Sequence, residues 1–463
     1  MKRNYFSSLT AVMMMALMAL ASCSKKGELL DTIPADAKIV ATIDIKGIME
    51  QAGCKFTDSG IELPESFGSP MDADRKAMLD AVGQMQHEGV CDFSNTVLVV
   101  NEKNVPLLTF MIDDPDRFIE LTGKQLKWND GSNGYKEAEG SNTTIIIDGN
   151  QAWITESHGD AAKEIEAIKK SAKETPISKL DGVTNALNSS NLVNLAMHSL
   201  GVAMNVTEEE ESPWSVMKIA IKENKIVADN VVMKGDGEII KTKGLQTINQ
   251  AVLAYIPGSF NIAAAMGLTP EFDWKSLTSA LGTYGGFQAQ AALSVITPYL
   301  QAIDGTVLIA AGPANEQAYS DIDPGNWQFI LMAHLSQEKV NQIIGMVKSM
   351  MFSNGITLRE DKNGMLIVPQ YGMDCYIGAV DGYLAISNLP FENTRQNELA
   401  PLFNGKDMAV SVDLPTLKVF SPAAPAFGVK FTLQGTEDGS QIEFSLNGTN
   451  KPILETLIAT LAN

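Results

Sequence analysis

The chain has 463 residues, 45% apolar and 19% charged, which excludes a disordered tail and leaves ample side chains for a core. At about 150 residues per domain, this length accommodates about three domains or two large ones. Lysine and arginine total 35 against 55 aspartates and glutamates, and the resulting net charge of −20 repels polyanions, so no nucleic-acid partner is expected.

Lys2 and Arg3 open the chain ahead of an apolar stretch from Leu9 to Ala21. As a helix this stretch would rise only about 20 Å, short of a hydrocarbon core of about 30 Å. Its charge and length are those of a signal peptide, assigned here to residues 1–22. No later stretch reaches about eighteen uninterrupted apolar residues, so the body behind it is expected to cross no membrane as a helix.

Leu20-Ala21-Ser22-Cys23 closes the stretch and resembles the lipobox of bacterial lipoproteins. The resemblance implies that Cys23 becomes the diacylated, N-acylated first residue and holds the chain to the lipid bilayer; buried methylenes at about 0.8 kcal/mol each make such an anchor stable. Residues 23–32 then read as a tether. Ser24 matches the general sorting pattern for transfer to the outer membrane. Lys25-Lys26-Gly27-Glu28 lacks the acidic run of surface-exported Bacteroidetes lipoproteins, so the expected face is the periplasmic one. Asp31-Thr32-Ile33 resembles an O-glycosylation sequon of exported Bacteroidetes proteins, but three residues are a short pattern, the plain reading is a turn leading into the first strand, and no glycosylation site is assigned. Only Cys54, Cys91 and Cys375 remain, which excludes a disulfide framework; a single Cys54–Cys91 bridge stays open beside small apolar core thiols.

Six landmarks recur in order along the rest of the chain. Ile33-Pro34 and Ile256-Pro257 each lead through a turn into a strand. Thr96–Val99 parallels Thr306–Ile309, and Asn133-Gly134 parallels Asn363-Gly364. Ile145–Thr155 parallels Ile377–Ser387, both reading as strand, glycine turn and strand. Asn188 parallels Asn404, and Met217–Ile221 parallels Val429–Leu433. Between them lie amphipathic helices. One starts at Ser69-Pro70 and carries Met78, Leu79, Val82 and Met85. Another is capped by Asp113 or Asp114 and carries Phe118, Ile119 and Leu121. A third begins at Ser336 with Val340, Ile343, Ile344, Val347 and Met350 or Met351 on one face.

The expected fold is therefore α+β: two tandem copies of a similar domain, residues 33–250 and 251–463, each an antiparallel or mixed sheet with helices packed on one face. With its lipobox, the Ile33-Pro34-Ala35-Asp36-Ala37 segment, a strand ending in Asp44 and a second copy starting at Ile256-Pro257, the mature chain resembles the uncharacterised lipoprotein families of gut Bacteroidetes that are known as domains of unknown function. That resemblance implies no activity.

Nucleophile elbow, Walker loop, His-Glu-x-x-His and Rossmann glycine patterns are absent, so no catalytic or cofactor-binding residue is nominated and no cofactor is expected. Of the histidines His87, His158, His198 and His334, no two share a helical turn; His198 and His334 lie in apolar strands and read as half-buried structural side chains. The aspartate-rich turns Asp113–Asp116 and Asp321–Asn326 lack the EF-hand pattern, and no metal ligand is assigned. Glu208–Glu211 reads as a solvated loop, and Gly282–Phe287 as either a binding loop or a connector. The expectation is a lipid-anchored envelope protein leaning away from enzymatic activity: a binding or scaffolding module for a protein, peptide or glycan. The alternatives are an envelope hydrolase using carboxylates, drawn from positions such as Asp44, Asp113 and Asp273, or a carrier of an apolar ligand.

Overall fold

Asp148 faces Gln151 and Val380 faces Tyr383 across two-residue turns, so the glycine hairpins read from the sequence are where the backbone reverses. The computed structural model describes residues 26–67, 73–91, 94–123, 125–140, 143–156, 161–198, 213–274, 297, 299–315, 318, 326–370, 373–392, 398–419, 425 and 427–462. They fall into two compact units. Unit one holds the described residues up to 240 together with 450–462, and unit two holds Lys241–Thr449.

Unit one contains α1 (Lys26–Asp31), β1 (Ile39–Ile43), α2 (Ile45–Gln51), β2 (Lys55–Thr57), β3 (Gly60–Glu62), α3 (Ala73–Glu88), β4 (Thr96–Val100), β5 (Pro106–Met111), α4 (Pro115–Thr122) and β6 (Trp128–Asp130). It continues with β7 (Lys136–Glu139), β8 (Thr143–Asp148), β9 (Gln151–Glu156), α5 (Ala161–Glu174), α6 (Asp181–Leu187), β10 (Val193–His198), β11 (Trp214–Lys222) and β12 (Lys225–Met233). Its main sheet runs β12-β11-β10-β1-β4-β5-β9-β8-β7-β6, every pairing antiparallel.

Unit two contains α7 (Gln250–Leu253), β13 (Ile262–Gly267), β14 (Ile303–Pro313), β15 (Trp327–Leu335), α8 (Gln337–Ser353), β16 (Arg359–Glu360), β17 (Leu366–Gln370), β18 (Met373–Val380), β19 (Tyr383–Ser387), β20 (Met408–Leu414), β21 (Gly428–Thr436) and β22 (Gly439–Asn447). Its sheet runs β22-β21-β20-β13-β14-β15-β19-β18-β17-β16, again antiparallel throughout. Position for position this is the order of unit one.

Register refines the parallels. Ile145 opposite Ile154 and Ile377 opposite Ile386 reproduce the hairpin correspondence. The strand before it is displaced by one residue: Ile39 faces Val100 and Ile262 faces Ala311, which equates Val97–Val100 with 308–311 rather than with 307–310. Likewise Val193 faces Ile219 and Met408 faces Gly435, so Met217 corresponds to Leu433 and not to Val429. Apolar identity tolerates such slips, whereas hydrogen-bond register does not, because one step moves every side chain to the other face.

Three expectations are corrected. Helices cover both faces of each sheet, not one. On β8, Ile145 and Ile147 pack with residues of α3 and α4, while Ile146 between them packs with α5 and α6. On β15, Ile330 and Met332 pack with α7, and Ala333 and Leu335 with Val340 of α8. A run of buried apolar residues such as Ile145-Ile146-Ile147 is what a doubly covered strand needs.

Second, the expected boundaries 33–250 and 251–463 give way to a division between Ile240 and Lys241, with the C-terminal helix α9 (Ile453–Ala462) returned to unit one. Ile453 is buried and Leu454 and Ile458 pack on the core that holds Cys54 and Ile61. Asn224, in the β11–β12 turn, accepts a hydrogen bond from the Ile453 backbone N–H at 2.7 Å. Residues before 250 serve unit two: Ile248 is in its core, and Asn249 caps α7. Third, the tether expected over 23–32 is partly core, because Leu29 and Leu30 of α1 are fully buried. Burying each is worth about 2 kcal/mol, more than a linker would leave exposed. Thr32 donates its hydroxyl to the Leu29 carbonyl at 2.7 Å.

No described helix is long and apolar enough to cross a membrane. Cys23, the signal segment, Ser69-Pro70, His158, Glu208–Glu211, Gly282–Phe287 and residues 321–325 lie outside the described residues.

Candidate functional site

β1 gives way to Asp44, whose Oδ1 accepts the Gly47 backbone N–H at 2.7 Å and so starts α2. Lys46 and Glu50 stand one turn apart on that helix. After Gly53, whose φ of 85° reverses the chain, β2 and β3 form a hairpin with Lys55 opposite Glu62 and Thr57 opposite Gly60. Helix α3 then crosses the hairpin at Gly83. A Cβ on Gly83 would lie 2.2 Å from the Gly60 carbonyl carbon, so only glycine permits this approach.

Helix, hairpin and helix thereby enclose an open cleft of about 460 Å³. Lys46 and Glu50 come from α2, Cys54 to Thr57 from the hairpin, and Gly83, Gln86 and His87 from the end of α3. Cys54 is buried, and desolvation, helped by the Glu455 carboxylate of α9, pushes its thiol up to about 11. The group stays protonated and is no nucleophile at neutral pH. Cys91 is buried in the same core, and neither cysteine forms a disulfide.

Unit two carries a second polar group. The β14–β15 register jumps between Ile303, opposite Leu335, and Val307, opposite Ala333, so Asp304, Gly305 and Thr306 bulge opposite His334. Asp304 Oδ1 lies 2.8 Å from His334 Nδ1, and a Cβ on Gly305 would sit 2.7 Å from the imidazole. The His334 ring meets Tyr383 edge to face at 5.3 Å, and the Tyr383 hydroxyl accepts from Asn249 Nδ2 at 3.0 Å. Burial raises the Tyr383 pKa, against hydrogen bonds from Asn249 and Thr306 that lower it. A carboxylate on one imidazole nitrogen is the arrangement that orients a histidine, here with both side chains about 40% exposed or more. Among the described residues, no serine, threonine or cysteine side chain hydrogen-bonds this imidazole.

His198 lies at the end of β10, stacked on Trp214 at 4.6 Å, and burial lowers its pKa against the Asp36 and Glu102 carboxylates. In the first acidic turn Asp114 is the cap of α4, its Oδ1 accepting the Arg117 N–H at 3.0 Å. No three His, Cys, Asp or Glu side chains among the described residues are grouped to hold a metal. The carboxylates with displaced pKa values move down, not up: Glu88 through its hydrogen bonds from Arg117, and Asp130 through Lys136. A general acid at neutral pH needs the opposite displacement. Sequence reasoning missed Lys46, Lys55 and Gln86 as cleft residues and Asp304 as the partner of His334. The i, i+4 spacing of Lys46 and Glu50 was the one legible signal.

No protein-family model matches the chain, and no curated protein matches it. Among solved structures it is similar to TP0453: crystal form IV at a TM-score of 0.28 and 9% identity, covering 44% of this chain and 79% of that one. Form III aligns at a TM-score of 0.27 and 11% identity, over 44% of this chain and 78% of that one.

Proposed function

We propose that this is a lipid-anchored cell-envelope protein, attached through acylated Cys23 on the periplasmic side of the outer membrane, whose body is a non-enzymatic binding or scaffolding module for a protein, peptide or glycan. The observation that carries the reading is the α2–hairpin–α3 cleft. Its volume lies in the range of ligand sites, its walls are donor-rich, and its one thiol is held protonated. The N-terminal pattern supports the anchor. We further infer that the two units descend from one ten-stranded domain; their common strand order and the matched hairpin registers support it.

The test has two arms. Cells supplied with an alkyne-tagged fatty acid should label the chain, and Cys23→Ser should lose both label and membrane association; a labelled or membrane-bound variant overturns the anchor. The purified full chain should retain peptides or glycans from an envelope-fragment panel and release them intact. Shortened products would move the reading to a hydrolase, with the Asp304–His334 pair as the first place to look.

A further inference from the structure

The cleft of unit one faces its ligand with an unusual balance for this chain. The protein carries −20 in total, yet the residues lining the cleft include two lysines, Lys46 and Lys55, and one carboxylate, Glu50, with Glu62 across the hairpin from Lys55 and Glu455 behind Cys54. Neither lysine is ion-paired with another described residue, in contrast to Arg117, whose guanidinium is held by Glu88 and Glu120. Gln86 adds an amide, His87 an imidazole, and the half-buried Phe56 an apolar wall. Ammonium groups donate and cannot accept, so this set is matched by an acceptor-rich ligand bearing negative charge, while Glu50 can accept from a hydroxyl. Phe56, which also packs against the core, borders the cleft. The volume of about 460 Å³ holds a ligand of one or two sugar rings.

We propose that this cleft binds a small hydroxylated organic anion, a sugar carboxylate or sugar phosphate. Lys46 and Lys55 would clamp the charged group, and Glu50 and Gln86 would take the hydroxyls. The proposal rests on the binding-module reading and narrows it to an acidic sugar. Rigid placement follows from the Gly83–Gly60 approach, which fixes the hairpin against the helix without a movable side chain between them.

Calorimetric titration of the full chain with glucuronate, glucose 1-phosphate and neutral glucose tests it. Both anions should bind at least about tenfold more tightly than glucose, and their affinity should fall as salt rises. Lys46→Gln and Lys55→Gln should each weaken anion binding about tenfold with an unchanged melting temperature. A uronate-terminated trisaccharide that binds more tightly than free glucuronate assigns the ligand to a glycan end, and equal binding assigns it to the free acid; both support the site. Equal affinity for glucose and glucuronate, or a double variant that binds as well as the parent, overturns it. Failure of both anions to bind, while envelope fragments are still retained, overturns this inference alone; loss of both overturns the binding module as well.

Discussion

Phe110 of unit one and Ala333 of unit two hold the same place in their strands, opposite Ala152 and Leu384, yet they meet different surroundings. Phe110 packs on Phe118 with ring centroids 6.2 Å apart, in a core that takes residues from α2, α3, α4 and α9. Ala333 belongs to a smaller cluster whose one fully buried helical side chain is Val340 of α8. On the same helix Met346 and Met350 remain about half exposed, as does Ile309 on the neighbouring strand. Two sheets of identical strand order thus carry unequal cover among the described residues. The pairing scheme is set by backbone hydrogen bonds and register, and what is stacked on it can vary. In unit one the covering helices α2 and α3 and the hairpin between them form the walls of the cleft.

The comparison breaks most readily at α9. Deleting residues 450–463 removes Ile453, Leu454 and Ile458 from the unit-one face, and at about 1.5 to 3 kcal/mol per buried aliphatic side chain the loss should be about 5 kcal/mol. Hydrogen exchange read peptide by peptide should show α2, the hairpin and α3 exchanging fastest, with unit-two strands unchanged. If protection of α2 and α3 survives the deletion, the last helix is not part of the cover.

A glycine in each covering helix sharpens the contrast. Gly83→Ala places a methyl against the Gly60 backbone and should cost about 3 kcal/mol, because neither backbone can step aside. Gly345→Ala in α8 has nothing within 4 Å and should stabilise by about 0.5 to 1 kcal/mol through helix propensity. Urea midpoints of the two variants should therefore move in opposite directions. Equal shifts would mean that α3 is held no more tightly than α8.

How much of this was legible is clearest in particular residues. The Ile145–Thr155 and Ile377–Ser387 hairpins could be read because turn chemistry and alternation act locally, and Asp114, Ser336 and the apolar faces of α3 and α4 are local signals too. Ile145-Ile146-Ile147 carried the evidence for two covered faces, in a run that single-face reading discards. The docking of α9 on unit one was invisible, since nothing in Ile453–Ala462 names the surface that buries it. The cleft was equally hidden: Lys46, Lys55 and Gln86 are ordinary surface residues until a hairpin and two helices bring them together, and the Asp304–His334 contact exists only because a bulge shifts the register of β14.

Alkaline titration probes the same cover at a single atom. Cys54 lies under α9 with its pKa raised from 9.0 to about 11, by burial first and the Glu455 carboxylate second. A group whose folded pKa lies above its unfolded value stabilises fully below the unfolded value and loses that contribution as pH climbs through the folded one. Stability should thus decline between pH 9 and pH 11, by about 2 kcal/mol from this thiol. Cys54→Ala should flatten that limb, whereas Cys375→Ala in unit two, where burial alone raises the thiol, should leave most of it. The chain lacking 450–463 provides the decisive control. With α9 gone, the Glu455 carboxylate and the share of burial that α9 supplies are lost, so the alkaline limb should shrink and a thiol reagent should modify Cys54 faster than in the full chain. Retention of the whole limb in the truncated chain would place the origin of the shift elsewhere and detach Cys54 from the helix that covers it.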